Sequence, residues 1–381
     1  MWKLPDAAAQ RFPLIARPRP ACLPLTQRVH ALAALADLAA QSGDPGVAST
    51  VYNQAALLAS DVGMPDLART LCRQHAAAYL HAVPLPGTTA IRALEPAVNL
   101  ARLSIRAGRY DDGRERLLTL FNAVSTESPA QVGCIAIPAC LTESTEDRHV
   151  VRAWLWRILL ADGTRALTAA GRWSEALSHV ETHRGVGQRM LDGRQVAILA
   201  ALAAGNALGA ANLLAATESP DPWQDAVTSC LTVLCRQAAG LPWRGPLQNL
   251  VTAYLERPDS EDLVVFNTRL GLAVLDALPP PEDAVARVIV AELHRRTIKA
   301  TDGYAAHETL AHPLFTTLST AREAQECRAL VQACGLGAGS LADGLKSHLV
   351  EALRVSDQTI RESLAHPNRA GTVEQGRSRS R

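Results

Sequence analysis

The fold is decided by residues 25–80, LTQRVHALAALADLAAQSGDPGVASTVYNQAALLASDVGMPDLARTLCRQHAAAYL. Two similar breaks, SGDP at residues 42–45 and VGMPD at residues 62–66, divide this stretch into three blocks. In the first block, apolar residues recur every three or four positions and so share one face of a helix: Val29, Leu32, Ala36 and Ala39. Gly43 suits the end of that helix, and Asp44 and Pro45 suit the start of the next. The stretch therefore predicts three consecutive helices.

The same stretch resembles the tetratricopeptide repeat (TPR) family. With Val29 at the first position of a repeat, Gly43 falls in the turn between the paired helices. The other motif-defining positions are held by Leu32, Leu35, Ala36, Ala39, Ala48, Tyr52 and Ala55. Two positions depart from the family pattern, since Leu32 replaces an aromatic residue and Ser60 replaces the closing proline. The resemblance implies helical hairpins stacked into a right-handed α-solenoid.

A periodic glycine extends the resemblance further along the chain. Gly171, Gly205 and Gly240 lie 34 and 35 residues apart, and 34 residues is the length of a TPR unit. Residues 88–124 form another predicted helix pair, with its turn at Gly108. The resemblance covers residues 25–124 and 150–256. The predicted fold class is all-α, a right-handed solenoid of TPR-like hairpins with divergent C-terminal helices.

Composition breaks divide the 381-residue chain into six predicted segments. The N-terminal arm, residues 1–24, is rich in proline, and Phe12, Leu14 and Ile15 are expected to pack on the first helices. The remaining segments are TPR-like repeats at 25–124, a loop or short-helix insert at 125–149, TPR-like repeats at 150–256, divergent capping helices at 257–365 and a disordered tail at 366–381. The tail ends in RSRSR and has almost no core-forming residues.

Composition also constrains the partners and the location. Only three of the 38 basic residues are lysine, and this arginine and alanine bias is typical of a high-GC bacterium. The net charge is +1, whereas a nucleic-acid-binding protein is more often strongly basic, so no direct nucleic-acid binding is expected. Residues 195–216 are uncharged and long enough to span a bilayer, but Gly205 and Asn206 predict two helices there instead. No membrane association is expected.

The eight cysteines contain no CxxC pair, which a zinc ribbon would need. They are predicted to be small buried thiols in a reducing cytoplasm. The N-terminus has no apolar core of a secretory leader, which also favours a cytoplasmic location.

One pair of residues suggests a metal site. His179 and His183 are four residues apart on a predicted helix, so their imidazoles share a face. A zinc site needs a third protein ligand, and the order of residues is not HExxH. No catalytic residue, metal ligand or cofactor is therefore predicted. A metal-dependent or accessory enzyme that uses His179 and His183 stays the alternative.

The TPR resemblance implies where a ligand binds. In such arrays the first helix of each pair lines a concave groove, and its groove-facing positions correspond here to Asn53, Arg102, Arg106 and Arg165. Arg102 and Arg106 are one helical turn apart, so both could bind one carboxylate or phosphate group. Arginines on an ordinary exposed helix face are the competing interpretation.

The implied function is non-catalytic recognition of a peptide or protein segment in that groove. A narrower hypothesis makes the chain the sensor or adaptor part of a regulatory system. A small-molecule-sensing regulator is a further alternative, and exposed capping helices could support a homodimer.

Overall fold

The blocks between the glycine and proline breaks are helices in the computed structural model, which describes residues 2–279 and 283–366. Apart from one short β-hairpin and two isolated bridges, the regular structure of these residues is helical, so the predicted all-α class is confirmed. None of the described helices is both long and apolar enough to cross a membrane. Residues 367–381, most of the predicted disordered tail, lie outside the described residues.

The bounds of the elements are as follows. The first half contains α1 (Ala7–Arg11), α2 (Leu25–Ser42), α3 (Pro45–Val62), α4 (Pro65–Leu80), α5 (Gly87–Arg106), α6 (Tyr110–Thr126), β1 (Ala130–Val132), β2 (Ile135–Ile137), α7 (Thr145–Ile158), a π-helical stretch (Leu159–Gly163), α8 (Thr164–Ala169) and α9 (Trp173–Thr182). The second half contains α10 (Asp192–Ala203), α11 (Ala207–Ala215), α12 (Pro222–Ala238), α13 (Arg244–Glu256), a 3-10 turn (Glu261–Leu263), α14 (Val264–Asp276), α15 (Asp283–Ala300), α16 (Gly303–Leu310), α17 (Pro313–Leu318), α18 (Ala321–Ala333) and α19 (Asp343–Ala365).

The chemistry predicted for the breaks is what ends and starts these helices. The Asp44 side chain accepts a hydrogen bond of 2.7 Å from the Gly46 amide at the start of α3, and Pro45 opens that helix. Gly63 ends α3 in the left-handed conformation, with φ of 87°. Gly205 has φ of 76° and separates α10 from α11, which confirms that residues 195–216 contain two helices.

The described chain divides into two compact units, each built from two separate stretches. Unit 1 contains residues 2–24 and 160–334, and unit 2 contains residues 25–159 and 335–366. The chain therefore passes from one unit to the other three times. Neither terminal segment belongs to the unit that its neighbours in sequence form.

Unit 2 is built from helices that follow one another in the chain and pack on one another. Each helix from α2 to α7 packs on the next, while α3 also packs on α5 and α5 on α7. Helices α3, α5 and α7 thus lie side by side in one layer. The C-terminal helix α19 packs on α2, α3 and α4. Large side chains fill the core between these helices: Leu32, Leu58, Tyr79, Leu94 and Leu120.

The insert predicted as a loop or short helix at residues 125–149 contains the antiparallel hairpin of β1 and β2. Val132, Ile135 and Ile137 are buried, while Ala136 between the last two is exposed. This alternation follows the two-residue period of a strand. Gly133, with φ of 60°, lies in the two-residue turn.

Unit 1 contains α1, α8 to α18 and the N-terminal arm, here residues 2–24. Phe12 and Leu14 are buried in its core, with Tyr254 and Phe266 among the core residues. The expectation that Phe12 and Leu14 pack on the first helices is therefore wrong, because those helices belong to unit 2. An extended segment with alternating apolar residues can pack on any apolar surface, and its sequence does not specify which.

Candidate functional site

Three of the four predicted ligand residues lie on parallel helices of unit 2, Asn53 on α3 and Arg102 and Arg106 on α5. A Cβ at Gly46 of α3 would lie 2.7 Å from Nη2 of Arg92 on α5. Further along, Asn53 of α3 accepts a hydrogen bond of 2.8 Å from Nδ2 of Asn99 on α5. Because contacts advance together along both helices, α3 and α5 run in the same direction.

The Asn53 amide also donates a hydrogen bond to a carboxyl group. Its Nδ2 donates to Oε2 of Glu95 at 2.6 Å, so Glu95, Asn53 and Asn99 form a chain of hydrogen bonds across the two helices. Arg102 Nη1 extends this chain with a long bond of 3.4 Å to Oδ1 of Asn99. Asn53, Glu95 and Asn99 are each half-buried, while Arg102 is exposed. A ligand that approaches this face meets side chains held in fixed positions.

The burial of Glu95 affects its ionisation. Burial raises the pKa of the Glu95 carboxyl above its usual range, because desolvation disfavours the charged form. The hydrogen bond from Asn53 and the positive charges of Arg92 and Arg102 oppose that change in pKa.

The same face ends at a carboxylate that two arginines share. Asp61, at the C-terminal turn of α3, has a fully buried side chain. Nη2 of Arg28 on α2 donates to its Oδ2 at 2.7 Å, and Nη2 of Arg106 on α5 donates to its Oδ1 at 2.6 Å. The Arg28 side chain is 12% exposed and the Arg106 side chain 43% exposed. The Arg106 side chain thus reaches solvent while its guanidinium group pairs with the buried Asp61 carboxylate.

We call these eight residues the α3–α5 polar cluster: Arg28, Asn53, Asp61, Arg92, Glu95, Asn99, Arg102 and Arg106. It contains four guanidinium groups and two carboxyl groups, so it has an excess of two positive charges when both carboxyl groups are ionised. It offers amide donors, guanidinium donors and a half-open surface, and it suits an anionic ligand better than a cationic one.

Of the cluster residues, Asn53, Arg102 and Arg106 were predicted from the sequence, whereas Glu95, Asn99 and Asp61 were not. A signal for the α5 members was available. Residues 92, 95, 99, 102 and 106 are polar and are spaced by three or four positions, which places them on one helix face. Asp61 had no such signal, because it lies in an apolar stripe beside Val62 and its partners come from two other helices.

Arg165 does not join this cluster. It lies on α8 of unit 1, where Nη2 donates to the Gln10 carbonyl oxygen at 3.0 Å and Nη1 to the Phe12 carbonyl oxygen at 3.2 Å. Both acceptors belong to the N-terminal arm of the same chain. Arg165, which was predicted to face a ligand groove, therefore contacts the backbone of its own chain.

The histidine pair lies in unit 1. The rings of His179 and His183 are 4.7 Å apart between centroids and meet edge to face at 65°. His179 is buried, and His183 caps α9. Within residues 2–279 and 283–366, no group of three or more His, Cys, Asp or Glu side chains is arranged to hold a metal ion. The two imidazoles thus have no third side-chain ligand of these types beside them in that part of the chain.

The glycine-rich loop of residues 335–340 uses its amide groups within the protein. The Gly337 amide donates to the Asp61 carbonyl oxygen at 2.8 Å, and the Gly339 amide to the Val62 carbonyl oxygen at 2.6 Å. The loop follows α18, and these two amides bind carbonyl groups at the C-terminal end of α3. Amides with these partners do not form a phosphate cradle.

Comparisons with known proteins add no relative. No protein-family model matches the chain, and neither a curated protein nor a solved structure shows significant similarity to it.

Proposed function

We propose that this chain is a non-catalytic, TPR-like binding protein that recognises a peptide segment rich in carboxylate groups through the α3–α5 polar cluster. The proposal includes a right-handed solenoid of helical hairpins. Its support is the side-by-side packing of α3, α5 and α7 in unit 2 and the left-handed glycines between successive helices, Gly43, Gly63, Gly108, Gly171, Gly205 and Gly240.

The observation that carries the proposal is the excess of guanidinium over carboxyl groups in the cluster that α2, α3 and α5 form on a half-open face. Arg102 and Arg106 are exposed and one turn apart, so they present donors to a single carboxylate. Asn53 and Asn99 offer amide groups beside them, which suit a peptide backbone. Asp61 holds Arg28 and Arg106, and the two carboxyl groups balance only two of the four guanidinium charges.

The cellular role in this proposal is that of a sensor or adaptor in a bacterial regulatory system, acting through a protein partner in the cytoplasm. All eight cysteines are free thiols and six are buried, which suits a reducing compartment.

The test is selection from a random peptide library followed by affinity measurement. We expect enrichment of Asp and Glu in the selected peptides. Arg102→Ala should weaken their binding by about tenfold or more, since a charge-assisted hydrogen bond contributes about 1.5–3 kcal/mol. Glu95→Gln should strengthen binding, because it removes a negative charge from the face and keeps an acceptor for Asn53.

The opposite directions of these two effects separate recognition from misfolding, since a damaged fold does not bind more tightly. Arg73→Ala is the matched control, because Arg73 is an exposed arginine of unit 2 on α4 and is not one of the eight cluster residues. Selected peptides without acidic enrichment, or equal affinities for wild type and Arg102→Ala, would refute the proposal.

A further inference from the structure

The N-terminal arm is held in unit 1 in the way that a groove holds a peptide. From Phe12 to Pro24 it has no helix or strand. Its backbone is bound mainly by side chains of the unit. Arg165 donates to the carbonyl oxygens of Gln10 and Phe12, as described above. Gln195 of α10 binds both polar groups of Leu14, accepting from its amide at 2.7 Å and donating to its carbonyl oxygen at 2.8 Å.

The far end of the arm is bound in the same manner. The Cys22 amide donates to Oδ2 of Asp302 at 3.2 Å, and the Cys22 carbonyl oxygen accepts from the Gly303 amide at 2.8 Å. The Cys334 thiol donates to the same oxygen at 3.0 Å. Backbone recognition of this kind, through an amide and a carbonyl at separate points, does not depend on the sequence of the bound segment.

Side chains of the arm supply the specificity. Phe12 and Leu14 are almost completely buried, and each occupies an apolar site in the unit 1 core. Two arginines make ion pairs with the unit. Nε of Arg11 donates to Oδ2 of Asp276 at 3.0 Å, and Nη2 of Arg17 donates to Oδ2 of Asp192 at 2.8 Å. The arm is thus a cationic, proline-containing segment with two apolar anchors.

The first part of the arm is incompletely packed. An open cavity of about 760 Å³ lies between residues 2–10 and the helix turns at Gly171 and Gly205. Trp2 and Trp173 are among its lining residues. A competing segment has space to enter beside the arm before the arm has left.

We propose that the N-terminal arm is an intramolecular ligand of unit 1, and that the groove it fills binds a cationic, proline-containing peptide segment of the same kind from a partner. We call this groove the arm groove, and it is defined by Arg165, Asp192, Gln195, Asp276 and Asp302. It is independent of the α3–α5 polar cluster, which lies in unit 2 and suits the opposite charge. Occupation by the arm keeps the groove closed until a competitor displaces the arm.

The test uses the full-length protein with weakened arm anchors, Phe12→Ala together with Leu14→Ala. The probe is a fluorescently labelled peptide of residues 8–21, AAQRFPLIARPRPA, and binding is followed by fluorescence anisotropy. We expect this arm variant to bind the probe at least about tenfold more tightly than wild type does, since a tethered arm competes at an effective concentration of about 1 mM. Adding Gln195→Ala to the arm variant should reduce probe affinity by about tenfold, because two hydrogen bonds to Leu14 of the probe are lost.

Leu208→Ala with Leu241→Ala is the matched control. Both leucines belong to unit 1 and are exposed, at 74% and 50%. This control should keep the arm bound and should bind the probe no better than wild type. A peptide of the same composition in scrambled order should bind none of the variants.

Hydrogen exchange in the same variants makes every outcome decisive. The proposal requires the arm variant to lose protection at the backbone amides of positions 14 and 22 while α8 to α18 keep theirs. If the helices of unit 1 lose protection together with the arm, the arm is a fixed part of the core and the proposal fails. It also fails if the arm stays protected, or if the released groove does not bind the probe.

Discussion

His75 makes the stability of unit 2 sensitive to acid. It lies on α4 and is 1% exposed. Its ring stacks on Tyr52 of α3, with centroids 5.0 Å apart and planes at 6°, and lies 5.8 Å from the ring of Tyr79. Among the described residues, Nε2 of His75 has no hydrogen-bond partner. Burial lowers the pKa of His75 from 6.5 to about 3, because the core cannot solvate an imidazolium ion.

The surrounding ionisable groups do not offset that cost. The Tyr52 hydroxyl donates to Oδ1 of Asp357 on α19 at 3.4 Å, and that carboxylate also pairs with Arg361. Ser49 shares a hydrogen bond of 2.6 Å with the Tyr79 hydroxyl. Neither contact reaches the imidazole nitrogen that would take up the proton.

The sign of the effect follows from the lowered pKa. Above the unfolded pKa the two states bind equal numbers of protons at this site, so stability is complete there. As the pH falls below the unfolded pKa, His75 is protonated in the unfolded chain and stays neutral in the folded one. The free energy of unfolding therefore decreases until the pH reaches the folded pKa. Between about pH 7.5 and about pH 5 the loss amounts to about 2 kcal/mol at this single site.

The assay compares wild type with His75→Phe, which keeps an aromatic ring against Tyr52 and cannot titrate. Chemical denaturation at a series of pH values gives the free energy of unfolding, and hydrogen exchange at the α4 amides assigns the change to unit 2. A constant offset between the proteins reflects repacking. We expect wild type to lose about 2 kcal/mol more than His75→Phe over this pH range. Parallel pH curves for the two proteins would refute the reasoning.

Three further predictions concern close packing and buried charge. Gly303→Ala should destabilise unit 1 by about 1–3 kcal/mol in thermal denaturation, because the new Cβ would lie 2.7 Å from the Cβ of Cys334 and 3.1 Å from Sγ of Cys22; Gly245→Ala, on α13 with no atom within 4 Å, is the control and should be neutral or stabilising. Arg28→Ala should cost about 3 kcal/mol and Arg106→Ala about 1 kcal/mol in the free energy of unfolding, since Arg28 is the more buried partner of Asp61; the reverse order would contradict the shared-carboxylate description. Glu95→Gln should stabilise unit 2 at neutral pH, and the gain should vanish as the pH falls through the raised pKa of Glu95, because the wild-type carboxyl is then neutral as well; a gain that persists in acid would show that charge is not its cause.

Three residues of the α3–α5 polar cluster were predicted before the structure was known. The spacing of residues on α5 and the family resemblance pointed to Arg102 and Arg106, and the resemblance pointed to Asn53. The pairing of Asn53 with Asn99 and Glu95 was not predictable, because it depends on the register between two helices 46 residues apart in sequence. Arg165 shows the same limit, since its partners are carbonyl oxygens of the N-terminal arm.

The sequence by itself determined the helices and their ends. Apolar residues with a helical period, glycines that accept positive φ and prolines in the first turn all act within a few residues, so they can be read without a partner. The short hairpin at residues 130–137 was not predicted from the sequence, because its strands are only three residues long.

Only the tertiary structure decided which segments belong together. The N-terminal arm belongs to the same unit as α8 to α18, and α19 packs on α2, α3 and α4. Both units are therefore assembled from distant parts of the chain. It also decided that two arginines pair with the Asp61 carboxylate and that His75 is buried away from solvent. Burial of apolar surface drives such associations but has no direction, so an apolar stripe or arm specifies that it will be covered and not by what.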